Sequence, residues 1–372
     1  MTAPSSAGVP RPGDSSQPLP PDPLEQDDHP ALSTSHRHWP SWGRWLFAGM
    51  LAVTAALLVV LPALVDALAL RRYASLMVLS LGVLGIVVAT GHTGLISLGH
   101  GAFVGLGAFA MGWFLDSRGL PFILAVIATF CFCAVVGFAL GVPAVRIKGI
   151  YLALVTLGIA VVFPSLAKRF PSITGGTTGR PVETTMEPPS WTGLGEEHAV
   201  TVRYYFCLVV CVLLFIGTRN VLIGRMGRAM QAVRDDEAAA ATFGVNLIRV
   251  KAGAFGLSAG LAGTAGALQA VLFPFVSHQQ FDVFLSFRLY AAAVLGGVGY
   301  LIGAVYGVLA LIVVPTLNEV MGSVTGSDDG LLKNDVIVFG LGLIALTFVS
   351  PDGAAGLTRR LSRRFFGSEE LS

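Results

Sequence analysis

The sequence predicts an all-α polytopic membrane protein of about ten transmembrane helices, one of them broken or re-entrant. Three observations carry this. Hydrophobic residues make up 54% of the 372 residues against 12% charged, with a mean hydropathy of +0.73, a balance foreign to soluble globular domains. Apolar runs close to the ~20 residues that cross a bilayer follow one another through most of the chain. The Lys and Arg clusters stand at the ends of those runs, where membrane topology places them. A net charge of +2, small and scattered, gives no footprint for a nucleic acid. The lipid bilayer is the surrounding this composition demands.

Residues 1–43 are rich in Pro, Ser and Asp (PRPGDSSQPLPPDPLEQDDHP) and hold no aliphatic run, so they cannot bury enough surface to fold. They read as a disordered cytoplasmic tail, since a cleaved signal would put its apolar core directly behind a short basic start. Trp39, Trp42 and Trp45 read as an interfacial anchor. The transmembrane domain then runs over 44–351, and a cytoplasmic tail over 352–372. Its spans are expected at 45–66, 73–90, 95–115, 121–145, 150–167, 204–223, 251–273, 284–298, 300–318 and 332–349. Parity supports this set. With the N-terminus inside, Arg146 and Lys148, the 224–251 loop and the RRLSRR cluster of the C-terminal tail all fall on the cytoplasmic side.

The 95–115 run, LISLGHGAFVGLGAFAMGWFL, is so rich in Gly that it is the span expected to break. A break at membrane depth is tolerated only where protein or a cavity covers the freed backbone. The extracytoplasmic loop, 168–203, contains TGGTTGRP at 174–181, the composition of an irregular ordered loop. Gly299, Gly303 and Gly307, and Gly256, Gly260, Gly263 and Gly266, recur at spacings that let helix backbones approach closely.

Residues 225–251, RMGRAMQAVRDDEAAAATFGVNLIRVK, form the one long polar helical stretch between spans. Met226, Met230 and Val233 make an apolar stripe, and Arg228, Arg234, Asp235, Asp236 and Glu237 lie mostly off it. The helix is expected to continue through Ala238–Ala241. Gly244 fits a left-handed stop and Asn246 the cap of the next helix. A solvated surface helix and a helix that meets another protein both remain open readings here.

Chemistry-bearing motifs are sparse. None of the four lysines, Lys148, Lys168, Lys251 and Lys333, stands in a Gly-Lys-Ser/Thr sequence, so the chain has no P-loop for ATP. Cys207 and Cys211 share a helix face without a His or carboxylate nearby and read as small hydrophobes, not metal ligands. No cofactor motif is present. Ionisable residues inside spans mark function more often than packing does. Asp66 and Arg288 fall near the ends of their runs and are expected at the interface. His100, flanked by Ser97, Gly99 and Gly101, is either an interhelical hydrogen bond or a lining of the path. Gly256 to Gly260, GLSAG, matches G-x-S-x-G literally, yet it lacks the strand that a nucleophile elbow requires. A protease reading would pair Ser258 with a His such as His100.

Four blocks in order resemble the permease subunits of branched-chain amino-acid ABC importers, of the LivM type. They are GHTGLISLGHGAFVGLGAF at 91–109; RIKGIYLALVTLGIA at 146–160 with TGGTTG at 174–179; GRAMQAVRDDEAAAATFGVNLIRVKAGAFGLSAGLAGTAGAL at 227–268; and VLGGVGYLIGAVYG at 294–307. The resemblance covers about 76–357. It implies an ABC importer permease-like bundle in the plasma membrane. The implied partners are a second permease of the LivH type, two cytoplasmic ABC ATPases and an extracytoplasmic substrate-binding protein. It implies that the 227–244 loop docks on an ATPase through Arg228, Arg234, Asp235, Asp236, Glu237 and Gly244. By the same analogy Ser97, His100, Phe103, Thr156 and Gly176 line the translocation path. Asp235 and Asp236 stand where the family more often has Glu and Asn; His92 and Leu95 stand where it often has an aromatic and a polar amide. A urea or short-amide permease shares these motifs, and a stand-alone carrier or channel is the alternative of another class.

Overall fold

The computed structural model describes residues 60–144, 150–182, 198–273 and 275–309, together with 353, 354 and 356. Helix α1 (Ala67–Ile86) runs on through a π-helical turn, Val87–Gly91. After a non-helical 94–99 segment come α2 (His100–Asp116), α3 (Phe122–Ala144) and α4 (Ile150–Arg169). A short turn of helix, α5 (Pro171–Thr174), leads to the two-residue strand β1 (Arg180–Pro181). Then follow α6 (Ala199–Ile223), α7 (Arg225–Asp235), α8 (Glu237–Thr242) and α9 (Leu247–Leu272). Strand β2 (Phe275–Val276), a 3-10 turn (His278–Phe281) and α10 (Val283–Gly296) complete the described elements.

Among the described residues, five helices are long and apolar enough to cross a membrane: Ala67–Gly91, Phe122–Pro143, Tyr151–Arg169, Ala199–Ile223 and Leu247–Leu272. The expected span at 73–90 therefore begins six residues earlier, because the helix starts directly after Asp66 and passes Arg71 and Arg72. The Gly-rich third span is broken as expected: only its second part, α2, is helical. The eighth is a helix of 14 residues, ended by Gly297 at a φ of 103°. Residues 45–59 of the first span, 310–318 of the ninth, all of the tenth, the Trp anchor, Arg146, Lys148 and the C-terminal arginines lie outside the described residues.

Helix α9 is the axis of the bundle. Its apolar stretch is 89% buried within the chain, against 28% for α3 and 22% for α6, so the latter two turn most of their surface outward. In lipid there is little hydrophobic drive between helices, and close contact of small residues takes its place. The glycine pattern supplies that contact on two sides of α9. Gly256, Gly260 and Gly263 face Ala134, Phe130 and Cys133 of α3, while Gly266 meets the Val104 carbonyl of α2. Gly303 and Gly307 meet Gly296, Gly297 and Ala292; Gly299 has nothing within 4 Å. Ser75 of α1 and Gln269 of α9 add a polar tie, with Gln269 Nε2 donating to the Ser75 hydroxyl at 2.8 Å.

The two ends of the bundle differ. One carries α7 and α8. At the other, β1 and β2 pair antiparallel, Arg180 opposite Val276, and the 174–181 loop is ordered as its composition suggested. Gly175, Gly176 and Gly179 all have positive φ there, which only Gly adopts without strain. Arg180 fixes the loop: its Nε donates to Asp116 Oδ2 at 3.0 Å and its Nη1 to the Ile173 carbonyl at 2.9 Å.

Candidate coupling segment and interior polar site

Helix α7 buries its apolar stripe as the spacing predicts, with Met230 and Val233 buried and Met226 half-buried. The helix does not continue to Ala241. Asp236 is extended, and its Oδ1 accepts from the backbone of Ala238 and Ala239 at 2.8 and 3.0 Å. It starts a second helix at nearly a right place for a cap, since Asp preceding an Ala run satisfies orphan N–H groups better than a helix interior would. Gly244 has a φ of 82° and Asn246 caps α9, accepting from the Arg249 backbone at 3.0 Å, both as expected.

The charged residues of this segment divide by direction. Asp235 is exposed, and so is Arg228, whose Nη1 donates to the Ile223 carbonyl at the end of α6 at 3.2 Å. Arg234, exposed as well, donates to the carbonyl of Gly91, at the end of the π turn that closes the first spanning helix. Glu237 turns toward the bundle: its Oε1 lies 2.6 Å from the ammonium of Lys251, which is only 1% exposed near the start of α9. A buried ammonium without a counter-charge is costly, so Glu237 and Lys251 act as a unit. The segment is thereby held to two membrane helices by two separate polar contacts. His92, next to Gly91, is buried and its Nδ1 donates to the Val87 carbonyl at 3.1 Å. Burial holds its pKa below the usual imidazole value; the Val87 bond opposes this and the nearby Arg234 charge adds to it.

Phe243 escaped the sequence reading. It is 88% exposed at the tip between α8 and α9. The available signal was an aromatic directly before the Gly that ends a polar helix.

The interior site forms about the break before α2. Ser97, His100, Phe103 and Thr156 are all buried, at 0, 1, 3 and 2% exposure. Thr156 Oγ1 accepts from the Leu98 backbone at 2.9 Å, and Ser286 Oγ accepts from the Gly101 backbone at 3.0 Å. These hydroxyls satisfy backbone groups that the break leaves free. His100 Nε2 lies 2.5 Å from Ser258 Oγ, the pair named by the protease reading. Ser258 stands inside α9 with no strand before it and is 1% exposed. The arrangement is an interhelical tie, lacking the exposed turn and oxyanion donors of a nucleophile elbow. Among the described residues, Ser97 Oγ has no hydrogen-bond partner. Gly176 is not part of this cluster. It sits in the α5–β1 loop, donating to Thr174 Oγ1 at 3.1 Å.

The fold and the two polar stations define a helical multi-pass protein of the cell membrane. A family described as "Branched-chain amino acid transport system / permease component" matches residues 68–347, and the chain belongs to it. It is 32% identical over 254 residues to the high-affinity branched-chain amino acid transport system permease protein LivM of Escherichia coli, covering 62% of this chain and 59% of that protein. It is 31% identical over 156 residues to the corresponding LivH protein of Salmonella typhimurium, covering 42% and 48%, and 31% over 153 residues to BraD of Pseudomonas aeruginosa, covering 39% and 47%. The matched region thus spans about three fifths of the LivM relative. No solved structure matches the chain.

Proposed function

We propose that this chain is a transmembrane permease subunit of an ABC importer for branched-chain amino acids, driven by ATPases on separate subunits. The observation that carries the reading is the α7–α8 segment, a polar helical pair tied by Arg234 and Glu237 to two membrane helices. A rigid segment so attached passes a push from a partner into the bundle, where a flexible loop would absorb it. On this reading the α7–α8 end is cytoplasmic and the Arg180 loop extracytoplasmic. The full permease is a ten-span ABC importer bundle over 44–351, between two cytoplasmic tails. A LivH-like permease completes the membrane part, two ABC ATPases dock below, and a substrate-binding protein delivers from outside.

The coupling residues then have distinct tasks. Arg228, Asp235 and Phe243 present themselves to the ATPase; Arg234, Asp236, Glu237 and Gly244 hold the segment in shape and on the bundle. Phe243 is the apolar anchor, since an exposed aromatic at a polar tip is the residue type that dominates interfaces. The interior cluster of Ser97, His100, Phe103 and Thr156 sets the geometry of the broken span beside the path, and Gly176 belongs to the outer loop.

Capture of the ATPases tests the reading. The intact chain, purified in mild detergent with its co-expressed subunits, is expected to bring down an ATPase with hydrolytic activity. Deletion of 225–244 removes it, and Phe243→Ala weakens capture roughly tenfold, the effect of losing an interface anchor. Transport by the purified chain alone in liposomes, with no ATPase captured, would instead establish a stand-alone carrier.

A further inference from the structure

Arg288 stands deeper than its position near a run boundary suggested. Its neighbour Ser286 accepts a hydrogen bond from the backbone of Gly101. The residue before Gly101, His100, bonds Ser258, which is close to the middle of the 26-residue α9. Arg288 follows Ser286 by two residues, about 3 Å along the helix axis. It therefore lies near mid-depth of the bundle, not at an interface. Helix α10 buries Ser286 and Leu289 on one side, at 1% and 0% exposure. Phe284, Phe287 and Arg288 share the opposite, exposed face, the two phenylalanines at 60% and 43%, at spacings of three and four residues. Arg288 makes no ion pair or hydrogen bond among the described residues. A guanidinium at that depth facing lipid is costly, and such residues face a partner or a watery path and mark the route of a solute.

We propose that Arg288, with Phe284 and Phe287 beside it, is a binding station on the translocation path for an aliphatic amino acid. The planar fork of Arg takes a carboxylate with two parallel hydrogen bonds, and the adjacent rings cover an aliphatic side chain. No acidic residue of this chain's described part competes for the guanidinium. Urea offers neither a carboxylate nor a side chain, so the station selects against it. This deepens the importer reading above and rests on it.

The test uses the complete transporter in proteoliposomes with its binding protein. Of the four cysteines only Cys131 is exposed, so Arg288→Cys is placed in a Cys131→Ser background. A water-soluble anionic methanethiosulfonate is expected to modify Cys at 288. Leucine delivered by the binding protein slows the reaction roughly tenfold, as occlusion of a solute site requires, and urea leaves it unchanged. In parallel, Arg288→Gln continues to hydrolyse ATP but moves roughly tenfold less leucine per ATP, and Arg288→Lys recovers part of it because the charge without the fork is retained. Modification only by a lipid-soluble maleimide would place Arg288 against lipid. No modification by either reagent, with loss of the partner permease in Arg288→Glu, would make it an interface ion pair. Either result overturns the assignment. Wild-type uptake and ATPase capture are measured in the same preparation: their absence would strike the importer reading, whereas a normal importer with a sealed Arg288 would overturn only the station.

Discussion

Gly266→Leu is expected to leave almost no folded chain in the membrane. A Cβ at Gly266 would overlap the carbonyl of Val104 and crowd the backbone nitrogen of Ala108. Those are main-chain atoms of α2, which cannot rotate aside as a side chain can. On the other helix Gly107 is pressed in the same way against the Gly263 backbone, so the two helices cross through a pair of glycine notches. Overpacking a core usually costs about 1–3 kcal/mol, and an obstacle made of backbone puts this substitution beyond that range. It also separates α2 from α9, the helix that α1, α2 and α3 all pack on, and removes the His100–Ser258 tie. Gly158→Leu is the matched control, because nothing lies within 4 Å of a Cβ there; its amount in the membrane is expected to equal wild type. The measurement is the membrane-inserted, monodisperse fraction after detergent extraction. Equal yields from the two variants would show that the crossing is looser than the glycine contacts require.

Much of this architecture was legible because it is local. The stripe of Met226, Met230 and Val233, the Gly244 stop and the Asn246 cap each follow from a few consecutive residues, and each is found in the structure. The break before α2 was legible from its glycines, and so was the polar spot at His100. Asp236 was misread as part of one helix because Asp-Asp-Glu satisfies both an interior charged face and a cap, and only the backbone geometry decides between them. The depth of Arg288 was hidden for another reason. It depends on the Gly101–Ser286 contact, between residues 185 apart in the chain, and no periodicity in α10 reports such a distance. The inward turn of Glu237 was invisible likewise, since its partner Lys251 lies across the Gly244 turn.

On the proposed reading, Glu237→Lys should cut uptake roughly tenfold while leaving the permease in the membrane and bound to the ATPases. The carboxylate it removes is the counter-charge of Lys251 at 2.6 Å, and the replacement sets a second ammonium against one whose side chain is 2% exposed. Breaking a sealed pair of this kind costs about 3–5 kcal/mol. The Glu237 side chain is 41% exposed, so water screens part of that and about 2 kcal/mol is the fitting scale. That is too little to unfold a bundle built on α9, but enough to detach α8 from the start of the helix it would move. The α7 contact of Arg234 with Gly91 and the exposed Phe243 both survive, so docking persists and hydrolysis runs without delivery. The readout is leucine moved per ATP hydrolysed, expected to fall roughly tenfold, the factor that corresponds to about 1.4 kcal/mol of lost coupling. Lys251→Met removes the buried charge instead of opposing it, and should fall less far. Combined with Glu237→Gln it should do no further harm than either change alone, because residues acting as one pair are not additive. Independent, additive losses would mean that Glu237 contacts the ATPase directly, and that α8 follows α9 through packing alone.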